Sequence, residues 1–137
     1  MKYLVMVQGT QADYEAMQGK ASEGSPAWTE QELQAMYAYM GAISDDLSES
    51  GELVDAQGLV EPARTRLVTA GKDGEPVITD GPYGETKEVM AGYWLVDCAS
   101  LDRVTEIAAR VTRCPGPEGV TEYPVVIRPV DSGGGDV

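Results

Sequence analysis

Three stretches of this chain carry apolar residues on both parities of an extended strand, and that narrows the folds open to it. In KYLVMVQ, Tyr3, Val5 and Val7 lie on one side, Leu4 and Met6 on the other. In GYWLVD, Trp94 and Val96 oppose Tyr93 and Leu95; near the end, Val126 opposes Val125 and Ile127. Side chains alternate across a strand, so a sheet of such strands needs apolar cover on both faces.

Cover for one face is legible. Thr29, Glu30, Gln31 and Glu32 form a capping box at the start of a long helix. Its stripe is Leu33, Met36, Tyr37, Met40, Ile43 and Leu47, and Gly51 supplies a left-handed stop. Ser100 caps a second helix with Leu101, Val104, Ile107, Ala108 and Val111 inward, ended by CPGP at 114–117. Thr10 caps a short turn through Tyr14 and Met17, and ASEGSP at 21–26 is a small-residue loop. The remaining strands fall at 52–60, 64–70, 77–79, 92–98 and 122–130. This order is the βαββαβ plan of a ferredoxin-like α+β domain with extra central strands. Two helices cover one face of it. A second copy of the chain is the economical cover for the other, so the expected assembly is a homodimer, sheets face to face around a barrel-like interior. The domain spans 1–130, and DSGGGDV at 131–137 reads as a flexible tail.

At 137 residues the chain has the length of one domain with a real core. Its net charge of -13 repels phosphate backbones and anionic lipid, so nucleic acid and membrane surfaces are not expected partners. The opening MKYLVMVQG is too short an apolar run for export or for a membrane span, which places the chain in the cytoplasm, with Cys98 and Cys114 free. The sequence contains no His, so the commonest general base and transition-metal ligand is missing. Two distant cysteines make no zinc site, and neither a metal nor a resident cofactor is expected. Cys114 follows a helix C-terminus and reads as structural; Met36 and Met40 read as core filling.

The densest polar chemistry lies in ITDGPYGETKEVMAGYWLVD, residues 78–97. Asp80, Gly81 and Pro82 have the chemistry of a tight turn, with Asp80 accepting backbone amides; the sharper reading makes Asp80 a carboxylate at a cavity mouth. Glu85, Lys87 and Glu88 are a solvated edge in the bland reading. In the sharper one Glu85 and Lys87, two apart on one strand face, point together at a ligand. Tyr3, Tyr83, Tyr93 and Trp94 could supply an aromatic wall. Tyr93 and Trp94 face opposite ways, so one of them belongs to the core or an interface.

VITDGPYGETKE followed by the apolar GYWLVD resembles the signature of the YCII-related family in its DGPF-type branch. There Asp-Gly-Pro-Phe precedes Ala-Glu-Thr-Lys-Glu; here Tyr83 and Gly84 replace the Phe and Ala. MKYLVMV, SESGELVDAQGLVEPA and ARVTRCPGPEG with EYPVVIRPV resemble the family's opening strand, post-helix segment and ending. The resemblance implies a dimeric α+β barrel and, from the genomic company of the branch, a link to a sigma factor. The His–Asp pair of better-studied relatives does not carry over to a chain without His.

Three functions follow as expectations. The first is binding of a small polar molecule in a cleft near 80–88, with Asp80, Tyr83, Glu85, Lys87 and Trp94 in contact. The second is an enzyme on the same scaffold, with Asp80 or Glu85 as general base and Tyr83 or Lys87 as electrophilic partner. The third is an accessory protein that binds a partner such as a sigma factor.

Overall fold

Strand β1 (Lys2–Gly9) runs through the middle of the sheet. In the computed structural model, which describes residues 1–131, it pairs antiparallel with β5 (Val89–Asp97) and β6 (Val126–Pro129). β2 (Leu53–Gly58) pairs with the other side of β5, so the order is β2-β5-β1-β6 with every neighbour antiparallel. That order is consistent with a ferredoxin-like α+β fold. From Ser132 on, the expected tail lies outside the described residues.

Helices α1 (Gln11–Met17) and α2 (Glu30–Glu49) both begin in capping boxes. Thr10 Oγ1 accepts from Asp13 N at 3.1 Å while Asp13 Oδ2 accepts from Thr10 N at 3.0 Å. Thr29 and Glu32 repeat the arrangement at 3.1 and 2.8 Å. Each box satisfies amides that a helix start leaves orphaned. Gly51, at φ +81°, ends α2 as its sequence position predicts. α3 (Leu101–Thr112) starts at Ser100, whose hydroxyl accepts from Arg103 N at 3.1 Å.

The core draws its sheet residues from one parity. Tyr3, Val5, Trp94, Val96 and Cys98 pack against Ile43 and Leu47 of α2 and Val104, Ile107, Ala108 and Val111 of α3. Val5, Val96, Ile43 and Val104 are fully buried, each contributing about 1.5–3 kcal/mol. On the opposite face Leu4, Met6, Tyr93, Leu95 and Val126 are only half-buried and lie outside this cluster.

Several expectations shift. Leu101, the first residue of α3, is 58% exposed rather than inward. The extra strands do fall in the middle of the chain order: β3 (Arg66–Ala70) and β4 (Pro76–Asp80) form a two-stranded hairpin separate from the four-stranded sheet, after a 3-10 turn at Pro62–Arg64. β5 begins at Val89, three residues before the expected Gly92, and β6 keeps only Val126–Pro129. Of the α2 stripe only Ile43 and Leu47 are buried; Met40 is half-buried but packs against the core, Met36 is half-buried outside it, and Tyr37 is 63% exposed. The first half of α2 therefore stands off from the sheet.

Candidate functional site

Beneath that first half of α2 lies a cavity of about 620 Å³, walled by α1, α2, the end of α3 and the segment leading into β6. Missing side chains help to shape it. Gly58 and Gly92 are paired across β2 and β5 on the helix-facing parity, so the floor carries no side chain there. Gly41 on α2 lies above, and a Cβ built on it meets nothing within 4 Å. An isolated glycine in a helix costs about 1 kcal/mol against alanine, and this one is exposed at the cavity edge. The walls are apolar and aromatic, with Trp28, Met36, Met40, Val7 and Trp94 prominent. Trp28 packs closely on Gly116 of the same wall, where a Cβ would come within 3.2 Å of its ring.

The polar groups at this cavity are anchored. Asp13 accepts three hydrogen bonds: from Thr10 N, from Ser25 Oγ at 2.8 Å, and from the Tyr123 hydroxyl at 2.7 Å. Burial and the Asp13 carboxylate push Tyr123 up to about 12, so it stays a proton donor at neutral pH. The Tyr14 hydroxyl donates to Leu59 O at 2.8 Å and lies 3.3 Å from Ala91 O. Ala91 is the extra residue where the β1–β5 register slips beside Val7, a bulge of the kind that re-aims strands next to binding sites. Trp94 Nε1 donates to Ser44 Oγ at 3.0 Å, which leaves its ring as the cavity surface. Burial pushes the Cys114 thiol up to about 11, so no thiolate forms there at neutral pH. The arrangement can hold a molecule and offer it hydrogen bonds and aromatic faces. Among the described residues no three metal-ligating side chains come together.

Of the residues expected to contact a ligand, Trp94 lines this cavity; Asp80, Tyr83, Glu85 and Lys87 do not. Asp80 is neither an amide acceptor in the turn nor free: Arg66 Nε and Nη2 reach its two oxygens at 2.6 and 3.2 Å across the hairpin, in solvent. Gly81 makes the turn instead, at φ +59°, with its amide on Thr65 O at 2.8 Å. Glu85 and Lys87 lie in a turn rather than on a strand face, with Lys87 N donating to Gly84 O at 3.2 Å. Among the described residues no ion pair joins Lys87 to Glu85; the Glu85 carboxylate acts instead on Lys20, already raised by its bond to Glu15. Tyr83 is half-buried beside this turn. The segment does reach the cavity indirectly, because Glu85 O accepts from Ala12 N at 3.0 Å and so holds the helix that carries Asp13 and Tyr14. Tyr93 and Trp94 do face opposite ways: Trp94 joins the core while the Tyr93 hydroxyl donates to Asp55 Oδ2 at 2.9 Å.

Sequence reasoning missed Asp13, Tyr14, Trp28 and Tyr123, which come from three separated segments. The signal present was Gly41, a lone glycine inside a strong helical pattern.

Comparison with known proteins adds two findings. An uncharacterised protein of Rhizobium meliloti (strain 1021) is 34% identical over 82 residues, which are 60% of this chain and 65% of that relative. The chain thus spans somewhat less than two thirds of the relative it matches. The YCII-related domain matches residues 1–127, which contain every element of the sheet except the last residues of β6 and all the cavity walls. This chain belongs to the YCII-related domain family.

Proposed function

We propose that this protein binds a small organic molecule between the first half of α2 and the sheet. The observation that carries the reading is the cavity itself: about 620 Å³ lies within the range of small-molecule sites, and its mostly apolar wall carries a few anchored polar groups. Trp94 is the contact shared with the sequence expectation. Asp80, Tyr83, Glu85 and Lys87 act as support, by closing the hairpin and holding α1. The DGPY and GETKE pattern supports a place in the DGPF-type branch, and the half-buried apolar face of the sheet supports a homodimer closed through that face.

A thermal-shift screen against a metabolite panel, run on the wild type, Gly41→Leu and Lys87→Ala, tests this. A ligand at about a hundred times its dissociation constant adds about 2.7 kcal/mol, a shift of several degrees. The shift is expected to survive Lys87→Ala and to fall in Gly41→Leu, which adds bulk at a position on the cavity wall. The opposite pattern would return the site to residues 80–88.

A further inference from the structure

Resting on the cavity as a binding site, we propose that its occupant is an organic cation with an apolar body, an amine or a quaternary ammonium. Among the described lining residues there is no Lys or Arg, whereas Asp13 and Glu122 are both at the wall. The nearby basic side chains lie off the wall: Lys20 pairs with Glu15 at 3.1 Å, Arg110 pairs with Asp46 at 2.7 Å, and Arg113, between the lining residues Thr112 and Cys114, is exposed and does not itself line the cavity. The charge of Glu88 is also felt at the Tyr123 hydroxyl. An anion entering here would lose water and meet no compensating charge. A cation meets Asp13, whose carboxylate already accepts three hydrogen bonds, the exposed Glu122, and the rings of Trp28, Trp94, Tyr14 and Tyr37 on the wall, and aromatic rings of this kind hold ammonium groups. Three methionines, Met17, Met36 and Met40, give the apolar body a soft, adaptable wall. The net charge of -13 draws cations toward the molecule as a whole.

Three probes with a common ring separate charge from shape: benzyltrimethylammonium, benzyl alcohol and benzoate. Calorimetry gives their affinities, and tryptophan fluorescence reports the site, because the chain has 2 Trp and both Trp28 and Trp94 line the cavity. The cation is expected to bind about tenfold tighter than the alcohol, and benzoate weakest. Glu122→Gln should weaken the cation several-fold and leave the alcohol unchanged. Equal or tighter binding of alcohol or benzoate overturns the charge inference and leaves the cavity reading standing. Silence from all three probes overturns both. Undiminished cation binding in Gly41→Leu, a variant that keeps Glu122 and adds bulk at the cavity wall, also overturns the inference by moving the cation to surface carboxylates.

Discussion

Two glycines do opposite work at the cavity. Gly41→Ala adds a methyl to open space and to a helix interior, so it should stabilise the protein by about 0.5–1 kcal/mol in urea unfolding. Gly92→Ala should destabilise by about 1–3 kcal/mol in the same measurement, since its Cβ would sit 2.9 Å from the Gln57 carbonyl oxygen. Away from the cavity, Arg103 grips Glu52 with two bonds of 2.8 and 2.9 Å, and the guanidinium holds the Glu52 carboxyl down to about 2 from an ordinary 4.5. The folded state then binds fewer protons than the unfolded chain between those values. This contribution to stability is complete above about pH 4.5 and is lost as pH falls toward 2. Arg103→Ala should cost about 1.5 kcal/mol at neutral pH, the low end for a charged pair because Arg103 is partly solvated, and should flatten the acid dependence of the unfolding free energy. An unchanged acid slope would remove the pair from that role.

At the scale of elements, the β3–β4 hairpin is the outlier. Every residue of both strands is exposed, Val68 and Ile78 at 60% and 53%, and a lone two-stranded hairpin is marginal in water. Its amides should exchange with solvent faster than those of β1 and β5 in hydrogen-exchange mass spectrometry. Protection equal to the core would mean that the hairpin is covered in solution. The hairpin also shows where sequence reading stopped. Its strands and its Gly-rich turn were legible from composition, yet nothing in them says that they leave the sheet, because that depends on which edges are already paired. The capped starts of α2 and α3 were legible because capping is local chemistry within four residues. The outward Leu101 and the half-empty stripe of Met36, Tyr37 and Met40 were not, since periodicity marks an apolar face without saying what stands opposite. The cavity was hidden for a related reason. It is made by residues that lack side chains and by contacts such as Asp13 with Tyr123, 110 positions apart.

For the molecule as a whole, the one-parity core leaves a sheet face on which Leu4, Met6, Leu95 and Val126 are half-buried. The homodimer proposed through that face should dissociate in Leu95→Glu, read as a halved mass by light scattering, with near-native circular dichroism. A variant that keeps the parent's mass would move the contact elsewhere. The strand order has a consequence for synthesis. β1 is central, yet its register partners Asp97 and Pro129 follow Lys2 and Tyr3 by most of the chain. At about 5–20 residues per second a ribosome needs roughly 6–25 s to reach them. Until β5 is complete, Tyr3, Val5 and Val7 emerge as an apolar ribbon with neither neighbour yet made, and until β6 follows one edge of β1 stays unpaired, the kind of exposure that makes a nascent chain prone to misassociation.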